Sequence, residues 1–140
     1  ASLIGLKSVA IGGSYEAYEY LLGESRFCLV PKGLGYWTHR LFEVIRAGCI
    51  PVILSDHVVL PFQGVAGIDW THFSVKWPEE QIGIELYRWL LHLDRHRGQE
   101  LKAALDKVAC WFDYHPDEPE GCSAMHATLL ALASPMPVER

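Results

Sequence analysis

The sequence predicts an α/β fold, a Rossmann-like parallel sheet with helices on both faces, and three observations carry that reading. Two continuous apolar runs, Phe27-Cys28-Leu29-Val30 and Ile50-Pro51-Val52-Ile53-Leu54, have the look of strands covered on both sides in a parallel sheet. Between them Leu41, Val44, Ile45 and Gly48 recur at helical spacing from a start near Thr38. Strand, helix and strand at this spacing make a βαβ unit, whose strands are parallel and whose crossover is right-handed in nearly all cases.

The elements follow in order. A short strand is expected over Ser8–Ile11. From Ser14 to Glu24 a helix places Tyr15, Tyr18, Leu21 and Leu22 on one face, with Ser14 as its N-cap. Pro31 stops the first buried strand, and a loop, Lys32-Gly33-Leu34-Gly35-Tyr36-Trp37, leads into the second helix. Gly48 is well placed to end that helix. Pro51 sits at the start of the next strand, where a missing N–H does least harm. Ser55-Asp56 closes it, and the chain is irregular as far as Trp70. Phe73–Trp77 reads as a third strand. A helix from Glu79 would carry Ile82, Leu86, Trp89, Leu90 and Leu93, and a second after Gly98 would carry Leu101, Ala104, Leu105, Val108 and Phe112. Residues 113–140 read as a C-terminal tail, rich in Pro, Asp and Glu, with one short helix over Met125–Leu132 and a frayed end at Ser134–Arg140.

Composition narrows the function classes. The 140 residues fit a single domain, and the chain starts at Ala1 rather than Met, so a fragment of a longer protein is expected. Twelve Lys+Arg against seventeen Asp+Glu leave no electrostatic footprint for nucleic acid. No apolar run is long enough to span a bilayer, and a soluble chain is expected. Four cysteines are too few for a disulfide scaffold. Cys28 and Cys49 lie in apolar runs and read as small buried hydrophobes. Cys110 and Cys122 flank a Pro-rich loop, and the count leaves open whether they are bridged.

In open parallel sheets, ligands bind beyond the carboxyl ends of the strands. Two such ends are readable, Pro31–Trp37 and Ser55-Asp56, and both fall on one edge. Gly33 and Gly35 would let the backbone approach a phosphate, and Lys32 and Arg40 supply positive charge in an acidic chain. Arg40 and Glu43 are one turn apart, so a guanidinium could meet a diphosphate while a carboxylate accepts from ribose hydroxyls. The plainer reading is an i, i+3 pair on a solvated surface, worth about 0.2–0.5 kcal/mol.

A linked pattern raises the stakes: Phe27-Cys28-Leu29-Val30-Pro31-Lys32-Gly33, then Thr38-x-Arg40-x-x-Glu43, Ala47-Gly48-Cys49-Ile50-Pro51-Val52, Ser55-Asp56 and Leu60-Pro61-Phe62. It resembles the exostosin domain, glycosyltransferase family 47, over about Tyr18 to Phe112. The resemblance implies a GT-B fold of two Rossmann-like halves, of which this chain is the C-terminal, nucleotide-sugar-binding one. It implies an inverting glycosyltransferase domain that binds a UDP-sugar donor for transfer to a glycan or glycoprotein acceptor, with the N-terminal half absent here. Thr38 and Arg40 would then contact the diphosphate, Glu43 the ribose, and Lys32, Gly33 and Gly35 the phosphate loop. Ser55 and Asp56 would lie at the cleft edge. The catalytic base is not identified, and in GT-B enzymes it usually comes from the other half. No cofactor and no metal is expected, as no DxD pair is present. Two departures stand out: Lys32 replaces a frequent Arg, losing the bidentate fork, and Thr38 replaces a frequent Ser, keeping the hydroxyl. The parent would be a single-pass membrane enzyme of the Golgi or ER lumen. The alternative is a non-catalytic nucleotide- or sugar-binding module that retains the fold.

Other residues have plainer readings. His92 and His96 share a helix face but lack a third ligand. His39 and His57 lie near the proposed cleft, as acid–base candidates or surface histidines. Tyr36 and Trp37 stack on a ligand or pack on the sheet. Trp70, Trp77, Trp89 and Trp111 read as packing.

Overall fold

The computed structural model describes residues 14–114 and 121–134. The strand expected over Ser8–Ile11 and nearly all of the frayed end lie outside them. Four helices, α1 (Tyr15–Glu24), α2 (Arg40–Arg46), α3 (Ile84–Val108) and α4 (Ala124–Ala133), accompany three strands, β1 (Phe27–Pro31), β2 (Ile50–Leu54) and β3 (Val75–Lys76). The sheet order is β1-β2-β3, all parallel, with Phe27 opposite Ile50 and Val52 opposite Val75. The expected α/β architecture is therefore present.

Side chains alternate across a strand, so the two faces of the sheet can be followed through its register. Cys28, Val30 and Ile53 pack with Leu41, Val44 and Ile45 of α2. Val52, Leu54 and Val75 pack with Leu86 of α3 on the other side. Only β2 is buried along its whole length. Among the described residues β1 lies at the edge of the sheet; Leu29 is 43% exposed and Pro31 is exposed, so the expectation that both its faces are covered fails at those two residues. The apolar run alone cannot tell a central strand from an edge.

The helix ends obey local chemistry. Ser14 caps α1, its Oγ accepting from the Ala17 N–H at 3.3 Å. α2 begins at Arg40 rather than Thr38. It ends in a Schellman turn: the Gly48 N–H bonds Ile45 O, the Cys49 N–H bonds Val44 O, and Gly48 has φ +76°.

Three further expectations change. The third strand has two residues, because the amides of Phe73 and Ser74 and the Ser74 hydroxyl all bond back to Trp70 O, closing a 3₁₀ turn. Of the residues expected in two helices around Gly98, Ile84–Val108 form one helix of 25 residues, whereas Glu79–Gln81 and Ala109–Phe112 form separate 3₁₀ turns and Ile82 lies outside any helix. Gly98 does not stop α3. A Cβ there would collide with the Asp94 carboxylate, which faces Arg26 at 3.5 Å. The glycine makes room for that carboxylate one turn earlier. Cys28 and Cys49, expected as thiols, form a disulfide that ties β1 to the turn after α2. A second joins Cys110 to Cys122 and so holds the entry of α4, whose Ala124 and Ala127 are buried. Near the same end Phe112 sits among Phe42, Phe62, Trp70 and Phe73, with ring centroids 5.3–6.2 Å away. Fully buried aromatic residues of this kind cost about 3–5 kcal/mol to truncate.

Candidate functional site

The carboxyl ends of all three strands give the site its frame. β1 runs into the loop 32–39, β2 into Ser55-Asp56, and β3 into Trp77-Pro78-Glu79. Ser55 is the one buried polar residue of the described core, and its Oγ donates to Tyr36 O at 3.0 Å. That bond fastens the middle of the loop to the end of β2. At Gly33 the loop folds closely on itself: a Cβ there would stand 3.0 Å from Trp37 O, a tight contact that the backbone would have to ease. Gly35 has open space around it, so nothing in the packing demands glycine there. A small cavity under the loop is lined by Val30, Pro31, Tyr36, Thr38, Ser55 and Leu60. Thus Thr38 and Ser55 face one space. Thr38 Oγ1 also accepts from the Arg40 N–H at 3.4 Å, a long bond at the entry of α2.

The remaining expected residues form two separate groups. In the first, Lys32 Nζ meets Glu79 Oε2 at 2.7 Å. Glu79 Oε1 accepts from the Asp56 N–H at 3.0 Å, while the Glu79 N–H donates to Asp56 Oδ1 at 3.2 Å. Lys76 Nζ adds a bond to Asp56 O at 3.1 Å. Hydrogen bonding and Coulomb attraction from Glu79 raise the Lys32 pKa, and the bonds from Lys32 and the Asp56 amide lower that of Glu79.

In the second group, Arg40 and Glu43 do not form the direct pair of the plainer reading but are linked through Tyr18 of α1. The Tyr18 hydroxyl donates to Glu43 Oε2 at 2.6 Å and accepts from Arg40 Nη1 at 3.1 Å. The guanidinium carbon lies 5.2 Å from the Tyr18 ring centroid, within cation–π range. Burial raises the Tyr18 pKa first, and its bond to Glu43 adds to the effect. Arg40 Nε donates to Leu29 O at 2.7 Å, satisfying a carbonyl of the edge strand.

The neighbouring rings make contacts of their own. Tyr36 lies 5.2 Å from His57, and Trp37 lies 4.6 Å from His39 edge-on. Tyr36 and Trp37 are both exposed. His92 and His96 pair at 4.3 Å on α3, and no group of three or more metal-ligating side chains occurs among the described residues.

Two members of this arrangement escaped the sequence reading. Tyr18 read as a core aromatic of α1. Glu79 read as the start of a helix, although the strand-end rule that singled out Ser55-Asp56 applies equally to the end of β3.

Residues 6–89 match the family model described as the Exostosin GT47 domain, which spans every element of this frame. The chain belongs to that family. Among relatives, the "Exostosin-1 homolog" of Caenorhabditis elegans is 35% identical over 96 residues, 67% of this chain and 24% of that one. "Exostosin-2" of Bos taurus is 37% identical over 99 residues, 69% of this chain and 13% of that one. An Arabidopsis thaliana protein named "Probable glycosyltransferase" is 35% identical over 121 residues, 80% of this chain and 24% of its own length. The chain thus spans about a quarter or less of these family members.

Proposed function

We propose that this family domain binds the nucleotide sugar of an inverting glycosyltransferase, taking a UDP-sugar as donor for transfer to a glycan acceptor. The observation that carries the reading is the convergence of Lys32, Thr38, Ser55 and Asp56 at the strand ends, inside the stretch that the exostosin family matches. On this reading Lys32 and Arg40 supply the positive charge for the diphosphate. As the glycosidic bond breaks, negative charge grows on the leaving diphosphate, and a preoriented cation such as Arg40 lowers that barrier more than it stabilises the bound donor. Arg40 enters with its guanidinium already oriented by Leu29 O and Tyr18, a preorganised fork. Glu43 keeps acceptor capacity for ribose hydroxyls beside its bond from Tyr18. Gly33, Gly35 and Ser55 shape the loop, and Asp56 borders it.

The base that deprotonates the acceptor hydroxyl belongs, on this reading, to the other half of a GT-B enzyme. Residues 1–140 alone then bind nucleotide weakly and transfer nothing. The two disulfides fit an oxidising compartment, and we place the parent in the Golgi or ER lumen as a single-pass membrane protein. Among the described residues no helix is long and apolar enough to cross a membrane. Ligand-observed NMR of the purified chain with UDP tests the reading. Saturation transfer to UDP that disappears with Thr38→Ala and with Glu43→Ala supports it, whereas transfer unaffected by either substitution contradicts it.

A further inference from the structure

Glu79 belongs to neither the loop nor the helix that the donor reading uses, yet it holds the loop's first cation. Its carboxylate is held from two sides, by the Asp56 amide on Oε1 at 3.0 Å and by Lys32 on Oε2 at 2.7 Å, while the Glu79 backbone N–H donates to Asp56 Oδ1 at 3.2 Å and anchors the residue at the end of β2. Lys32 is different. Its side chain is 51% exposed, and among the described residues its hydrogen bond goes to Glu79. An ammonium on a flexible four-carbon stem can turn to another anion, whereas a carboxylate locked to the backbone at the end of β2 stays where it is.

Resting on the donor-site reading, we propose that Glu79 is an internal competitor for the donor's diphosphate. In the ligand-free chain its carboxylate occupies the Lys32 ammonium. An arriving diphosphate takes over that ammonium and leaves Glu79 on the Asp56 amide. The exchange is between two anions for one cation, so the charge of Glu79 sets how strongly the loop holds phosphate. The carboxylate makes a dianionic ligand bind less tightly than the loop would otherwise allow, which favours release of the nucleoside diphosphate after transfer.

The decisive variant is Glu79→Gln. Glutamine keeps an oxygen for the Asp56 amide and removes the charge. UDP affinity of the intact chain is measured by NMR titration for the wild type, Glu79→Gln, Lys32→Ala and the double variant. Glu80→Gln serves as a control that removes a carboxylate one residue along. The proposal expects Glu79→Gln to tighten UDP by about two- to fivefold, the range for an exposed ion pair. It expects Lys32→Ala to weaken UDP, and the gain from Glu79→Gln to vanish in the Lys32→Ala background. An unchanged or weaker affinity in Glu79→Gln, with Lys32→Ala still weakening UDP, overturns the proposal and leaves the donor site standing. A gain in Glu80→Gln equal to that in Glu79→Gln overturns it as well, because the effect is then one of general charge. No response to Lys32→Ala, or no UDP binding in any variant, overturns both.

Discussion

Lys32 and Arg40 lie at the two ends of one loop, and the fold uses them differently. Arg40 is built into the framework: it satisfies a carbonyl of the edge strand, bonds a phenol and lies within cation–π range of its ring. Lys32 reaches across the strand ends to the Glu79 carboxylate with half of its side chain exposed. The contrast separates orientation from charge. Arg40 is preorganised and its loss disturbs structure and site together, while Lys32 is exchangeable and its loss disturbs charge alone.

Several substitutions break or sharpen that contrast. The largest effect is expected from opening the Cys28–Cys49 bridge, which fixes β1 to the turn after α2 and so sets where both ends of the loop lie. The double Cys→Ser variant should lose about 2–4 kcal/mol of stability in denaturant melts. Next comes Arg40→Ala, which should cost about 0.5–1.5 kcal/mol through the lost bonds to Leu29 O and Tyr18, together with UDP binding. Arg40→Lys should restore part of the charge without the fork. Tyr18→Phe is a smaller test. It should cost about 0.5–1.5 kcal/mol and leave Glu43 without its resident donor. Lys32→Ala should leave the melting temperature close to that of the wild type.

The smallest effect is on titration, and its sign follows from the pair. Glu79 has its pKa lowered from 4.5, so its contribution is present above that value and is lost as pH falls through the lowered one. Lys32 has its pKa raised from 10.5, so its contribution is present below that value and is lost as pH rises through the raised one. Carboxyl-carbon NMR should therefore show the Glu79 midpoint moving upward in Lys32→Ala. A midpoint that stays in place would mean that Lys32 does not hold this carboxylate in solution.

Much of this was legible from residue spacing. The two apolar runs and the Leu41, Val44, Ile45 stripe gave the βαβ unit and the sheet face that α2 covers, and Gly48 gave its turn. The failures have local causes. Gly98 looked like a helix stop because only a tertiary neighbour, the Arg26–Asp94 contact, explains a glycine inside α3. Phe73 looked like strand because its β-propensity does not reveal that Trp70 O claims the following amides. Cys28 and Cys49 looked like thiols because their pairing depends on the register of β1 with β2 and on the Schellman turn. Within the candidate site, the cations and strand ends were readable, but their partners were not. Tyr18 and Glu79 come from distant segments, and periodicity alone gives no reason to connect them with the loop.

Amide NMR of the isotope-labelled chain, titrated separately with UDP, ADP and GDP, tests the donor-site account most directly. The account predicts that UDP selectively shifts the amides of Lys32 to Arg40 and of Ser55 and Asp56. Equal responses to all three nucleotides, or shifts confined to residues away from this edge of the sheet, would contradict it.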